Sequence, residues 1–153
     1  MIRKASVEDI PRIIDLLHQV NMVHYYSRPD IFKPHTTKYD EGQLMEILNN
    51  EETPVFVYDD GEVLGYAFGQ IQEVRGNHLL QDAKTMYVDD ICVDEKARGR
   101  HIGSALYDHM RTFAKSVGCQ YLTLNVWNGN DAAITFYQQK GMKVRKTYME
   151  DRL

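Results

Sequence analysis

Apolar residues recur along this chain with two different periods. Ile10, Ile13, Ile14, Leu17 and Val20 fall at helical spacing, and Ser6 with Asp9 three residues on forms a capping-box pattern in front of them. Ile102, Ala105, Leu106, Met110, Phe113, Ala114 and Val117 make a second stripe on one helix face. A shorter helix is predicted over Asp40–Asn49. Strand-like runs occupy Ile2–Ala5, the segment PVFVYDDGEVLGYAFGQIQEV, Met86–Val93, YLTLNVW and the closing MKVRKTYME. Asp60-Gly61 predicts a hairpin turn inside the second of these. NGNDAAITFYQQKG predicts a last helix, stopped by Gly141 as a left-handed cap. HYYSRPDIFKPH, with its prolines and aromatics, reads as a loop or a broken helix, and RGNHLLQDAK as a polar loop.

The predicted order is β-α-α-β-β-β-α-β-α-β. The hairpin makes the first half of the sheet antiparallel. The strand–helix–strand unit from Tyr87 to Trp127 predicts a right-handed parallel crossover. The expected architecture is a mixed α/β sheet with helices on both faces.

Composition narrows the function classes. The length, 153 residues, suits one domain, and 43% hydrophobic with 26% charged residues is ordinary for a globular protein. A net charge of −4 argues against nucleic acid as partner, since phosphate neutralisation needs a basic face. Cys92 and Cys119 predict buried free thiols and a reducing compartment. No run approaches the ~20 apolar residues of a membrane span, and MIRKASVEDIP has no apolar signal core. The expectation is a cytoplasmic protein without a membrane partner, and a homodimer is compatible with the sequence. The six histidines show no metal-ligand spacing, so no metal site is expected.

Chemistry concentrates around ARGRHIGSAL, Ala97–Leu106, directly after the strand YVDDICV. A strand, a basic glycine turn and a helix start make an anion site, because the first N–H groups of a helix lack intrahelical partners. Gly99 and Gly103 would admit a phosphate close to the main chain, and Arg98, Arg100 and His101 add charge. Neither G-x-x-x-x-G-K-[ST] nor G-x-G-x-x-G is present. Taken alone, the turn reads as a strand–helix connection with solvated arginines, because glycine turns are common.

The turn and the element order together resemble the GCN5-related N-acetyltransferase (GNAT) family over almost the whole chain. The family's Q/R-x-x-G-x-G/A pattern falls on Arg98-Gly99-Arg100-His101-Ile102-Gly103, with His101 in place of the first glycine. That replacement predicts a position outside the left-handed backbone region. A second pattern, N-x-x-A-x-x-F/L-Y-x-x-x-G-F, matches Asn130, Ala133, Phe136, Tyr137 and Gly141, with Met142 in place of the aromatic.

The resemblance implies a GNAT-type, mostly antiparallel twisted sheet with a splayed central parallel strand pair. It implies acetyl-CoA as cosubstrate and an amine as acceptor, here a small cationic amine. Alternatives are a non-catalytic acyl-CoA-binding module and a protein N-terminal or lysine acetyltransferase. The implied cofactor site is the strand edge Ile91, Cys92 and Val93, the turn Arg98, Gly99, Arg100, His101, Ile102, Gly103 and Ser104, and Asn130 and Tyr137. Tyr137 matches the family's general acid, and its helical neighbour Phe136, about 100° away, suits packing. Asp89 and Asp90 are the candidate bases, since diamine acetyltransferases of the family carry a similar pair. Adjacent strand residues point to opposite faces, and Asp89 ranks first, Asp90 second and Glu73 third. Tyr25, Tyr26 and Phe32 fall in the region that lines the family's acceptor site, with Glu73 as a further candidate. A hydrophobic loop over the core explains YYSRPDIF equally well.

Overall fold

The apolar stripes and the hairpin assemble on one five-stranded sheet in a computed structural model that describes residues 1–153. The elements are β1 (Ile2–Lys4), α1 (Ile10–Ser27), α2 (Glu41–Leu48), β2 (Val55–Asp59), β3 (Val63–Val74), β4 (Ala83–Val93), α3 (Ile102–Ser116), β5 (Tyr121–Thr123) and α4 (Asp131–Gln139). Strand order is β1-β2-β3-β4-β5. The first three pairings are antiparallel, and β4 and β5 run parallel.

Local chemistry explains where the first helices start. The Ser6 N–H donates to Asp9 Oδ2 at 2.8 Å ahead of α1. Asp40 caps α2 by accepting from the Gln43 N–H at 2.8 Å, and Gln43 Oε1 accepts from the Asp40 N–H at 3.0 Å. The sheet then separates two apolar layers. Ile10, Ile13, Leu16 and Leu17 of α1 and Leu44 of α2 pack with Val55, Val57, Tyr66 and Phe68. Ile102, Leu106, Met110 and Ala114 of α3 pack on the other face with Phe56, Ala67, Met86 and Val88. Helix α3 lies so close to the sheet that a Cβ on Gly69 would sit 2.7 Å from Met86 Sδ and 3.0 Å from Met110. No helix is long and apolar enough to cross a membrane, and both cysteines are free thiols.

Three elements differ from the sequence reading. Helix α1 continues through Tyr25 and Tyr26 to Ser27, because the helix-breaking residue is Pro29, whose ring disfavours helical geometry at Arg28. Only Tyr121–Thr123 of YLTLNVW pairs in the sheet. MKVRKTYME forms no strand: its alternation is that of a strand, but the chain offers it no main-chain partner.

Candidate active site

The parallel pair β4–β5 holds only from Thr85–Tyr87 against Tyr121–Thr123. Beyond that the strands diverge, and β4 runs on to Val93 paired with β3 alone. One edge of Ile91, Cys92 and Val93 is therefore free. At the apex of the opening, Asn125 Nδ2 donates to the Tyr87 phenol at 3.0 Å.

A bulge sits beside this opening. Phe68 of β3 stands opposite Asp90, and Gly69 stands opposite Val88, so Asp89 is the unmatched extra residue. The bulge breaks the alternation of β4. Val88 packs in the α3 layer, and so do Ile91 and Val93, whereas Cys92 packs in the α1 layer. Asp89 and Asp90 consequently share the α1–α2 face, which corrects the expectation of opposite faces. Asp89 accepts from Lys38 Nζ at 2.8 Å and from the Tyr39 hydroxyl at 2.5 Å. Asp90 accepts from the Tyr66 hydroxyl at 2.6 Å. Lys38, Tyr39 and Tyr66 carry no motif and lay outside the sequence reading.

The two acids differ in environment. Burial lifts the pKa of Asp90 to about 6, and the Asp89 charge adds to this, while the Tyr66 hydrogen bond and Lys38 oppose it. Tyr39 and Tyr66 are raised well above a normal phenol, first by burial, and so remain donors. Tyr137 of α4 is pushed up to about 12 by burial, then by the charge of Asp90, then by Tyr107. The charge of Asp90 thus reaches the Tyr137 phenol. Burial also lifts the Cys92 thiol to about 12, so it is neutral. A cavity of about 220 Å³ lies beside Asp89, walled by Tyr39, Phe68 and Gly69.

The turn after β4 is the second half of the site. Gly99 has φ 82° and His101 has φ 60°, and α3 begins at Ile102. The left-handed His101 corrects the expectation that this position avoids positive φ. A residue with a Cβ costs roughly 1–2 kcal/mol there, and the tight entry into α3 imposes it. The turn leaves the first N–H groups of α3, at Ile102, Gly103 and Ser104, facing a cleft of about 280 Å³ lined also by Val93, Arg98 and Phe136. Arg98 and Arg100 are not equivalent. Arg100 pairs with Asp60 on the hairpin tip at 2.9 Å, whereas Arg98 makes no ion pair and lines the cleft.

The remaining candidates divide. Phe32 stacks on His24 at 4.9 Å and meets Trp127 edge-on at 5.3 Å. Arg28 lies over the Trp127 ring at 5.9 Å. This cluster ties the end of α1 to the segment that departs from β5. Trp127 and His24 were not singled out in the sequence, where nothing paired them. Tyr25 packs against Tyr26, which is exposed at the helix end. Asn130 caps α4, its Oδ1 accepting from the Ala133 N–H at 3.3 Å. Glu73 is not brought to the acidic pair. It stands opposite Lys84 near the far end of the β3–β4 ladder, on the order of 15 Å from Asp90 at ~3.3 Å per residue, and pairs with Arg75 at 2.7 Å.

The chain belongs to the acetyltransferase (GNAT) family, whose model matches residues 17–142. A mutant of the BH1408 protein from Bacillus halodurans is similar, at 29% identity over 100% of this chain and 99% of that one, with a TM-score of 0.95. The glucosamine-6-phosphate N-acetyltransferase of Arabidopsis thaliana shares the fold at 20% identity and a TM-score of 0.73, over 99% of this chain and 97% of that one. An aminoglycoside acetyltransferase from an uncultured soil metagenomic sample does so at 18% identity and 0.75, over 100% and 95%. No curated protein matches.

Proposed function

We propose that the protein transfers the acetyl group of acetyl-CoA to the primary amine of a small cationic molecule. The observation that carries this reading is the bulge at Asp89, which turns two carboxylates to one face where the sheet opens. The turn suits coenzyme A. A pyrophosphate would accept from the N–H groups of Ile102, Gly103 and Ser104 and pair with the unpartnered Arg98. The pantetheine amides would add to the free edge at Ile91–Val93 as an extra strand.

In the reaction the amine nitrogen attacks the thioester carbonyl, a C–N bond forms and the C–S bond breaks. The ammonium loses two protons, one before attack and one as the tetrahedral intermediate collapses. One of the two is matched by the proton that reaches the thiolate, and the other is released to water. An ordinary aspartate near ~3.9 is about 9 kcal/mol short of deprotonating an ammonium near ~10.4. With Asp90 at about 6, the gap closes to about 6 kcal/mol. Asp90 therefore acts as the base, through water. Tyr137 at about 12 hydrogen-bonds the departing thiolate as a poor acid while Asp90 is charged. Once Asp90 takes the amine's proton, that charge is gone and the phenol becomes a better acid, which couples the two transfers. Asp89 holds the acceptor's charge: Lys38 Nζ already occupies an ammonium position against it.

Thiol release from acetyl-CoA, followed over a panel of amines, tests this. The fastest release is expected with small di- or polycationic amines. No release with any amine, alongside retained CoA binding, would leave a non-catalytic acyl-CoA-binding module. Preference for lysine peptides or free N-termini would make the protein a protein acetyltransferase.

A further inference from the structure

Two charged residues of the chain are buried, Asp9 and Asp94. Asp9 sits at the start of α1, where Arg3 and the Ser6 N–H satisfy it. Asp94 directly follows the last residue of β4 and precedes Arg98 by four positions. It takes no part in the reaction described above.

Three parts of the fold converge on Asp94. Its N–H donates to the Leu64 carbonyl of β3 at 2.8 Å. Its Oδ1 accepts from the Lys96 N–H at 3.0 Å and its carbonyl from the Ala97 N–H at 2.8 Å, which folds Glu95–Ala97 into a short 3-10 turn. Helix α1 supplies the rest. Arg12 Nη2 pairs with Asp94 Oδ2, while Arg12 Nε donates to the Val63 carbonyl at 2.9 Å. Gln19 Nε2 reaches Asp94 Oδ1 at 3.4 Å, and Gln19 Oε1 accepts from the Glu95 N–H at 3.2 Å. Arg12 and Gln19 are seven residues apart, so they stand on one face of α1, about two turns from each other. The Lys96 N–H and then Arg12 hold the Asp94 carboxyl below the usual carboxylate range, so the pair is ionic at neutral pH.

An ion pair taken out of water is a weak source of stability, because desolvation offsets its attraction. What this one fixes is position. The turn that follows needs that. Every residue from Arg98 to His101 is exposed, so core packing does not set its course, and Gly99 and His101 both have positive φ. Given acetyl-CoA with its pyrophosphate on that turn, as proposed above, we infer that Arg12, assisted by Gln19, is a positioning residue for the acetyl donor: through Asp94 it sets where the turn presents Arg98 and the first N–H groups of α3. An arginine suits the task. Its planar guanidinium directs Nε at Val63 and Nη2 at Asp94 at once, whereas a lysine ammonium has the charge without the fork.

Two acetyl donors separate this role from plain stability. S-acetylpantetheine carries the thioester and the amides of acetyl-CoA but no phosphate. With the fastest amine of the panel, wild type should show a higher kcat/KM for acetyl-CoA than for S-acetylpantetheine. Arg12→Lys should lower the acetyl-CoA value by about 10- to 100-fold, the scale of a misplacement of about 1 Å. The loss should fall on KM, with kcat at saturation retained, and the S-acetylpantetheine value should stay at the wild-type level. Calorimetric titration of coenzyme A, which needs no acceptor, should show the same factor in Kd. Gln19→Leu leaves the ion pair in place and should shift the acetyl-CoA KM in the same sense by a smaller factor; it carries the comparison if Arg12→Lys does not fold. An acetyl-CoA preference unchanged in both variants overturns the inference and leaves the placing of acetyl-CoA intact. So does a loss shared equally by the two donors, which is the mark of general damage. Wild type that uses the two donors alike takes the turn out of cofactor binding, and the inference falls with it.

Discussion

At the scale of single residues, the account turns on which aspartate does what. The pKa of Asp90 is raised from 3.8 to about 6 by burial, and a base must be ionised to work. The kcat/KM for a cationic amine should therefore climb through about pH 6. Asp90→Asn should remove that limb and lower kcat by about 10²–10⁴-fold, while Tyr137→Phe lowers the plateau and leaves the limb in place. Stability supplies an independent sign. A carboxylate whose folded pKa is raised contributes stability below its unfolded value and loses it as pH rises through the folded one. Wild type should thus lose stability relative to Asp90→Asn between about pH 4 and pH 7, by at most about 3 kcal/mol. Denaturant titrations at the two ends of that window read the effect, and a gap that does not change with pH would place the ionised carboxylate in water. The acidic pair was legible as YVDDICV, but its geometry was not. Period-two alternation sends neighbours to opposite faces, and one unmatched residue reverses every side chain after it. The sequence around Asp89 carries no bulge signal, so Asp89 ranked first although Asp90 is the desolvated member.

At the scale of elements, apolar periodicity located α1 and α3, because each buries one face against the sheet, and Asp60-Gly61 marked the hairpin. It was less informative where an element's end depends on distant partners. YLTLNVW alternates throughout, yet its pairing with β4 stops at Thr123. The turn from β4 into α3 was legible as a strand–turn–helix connection, while the left-handed backbone at His101 was not, since a histidine is an uncommon choice there. His101→Gly tests that strain. Relief of about 1–2 kcal/mol at a left-handed position is partly offset by about 0.5–1 kcal/mol for the freedom glycine has in the unfolded chain. The melting temperature should hold or rise slightly, with acetyl-CoA affinity and turnover retained. A loss of several orders of magnitude in kcat with affinity intact would instead give the imidazole a chemical role.

At the scale of the whole molecule, two half-sites meet where the sheet comes apart. The turn into α3 lines a cleft on one side, and the α1–α2 face carries the two acids on the other. The order of elements made this framework readable from sequence, and the net charge of −4 hid a locally cationic turn. The sequence could not reveal which arginine is free, because Asp60 and Arg100 lie forty residues apart and meet only once the hairpin folds. The central claim is that acetyl-CoA lies in the opening with its pyrophosphate on the turn from Arg98 to Ser104. Calorimetric titration of acetyl-CoA into wild type, Arg98→Ala and Arg100→Ala tests it most directly. The account predicts one site per chain in wild type, binding weakened by about 1–3 kcal/mol in Arg98→Ala, and nearly unchanged binding in Arg100→Ala. Absence of binding to wild type at millimolar acetyl-CoA, or equal affinity in Arg98→Ala, would contradict it.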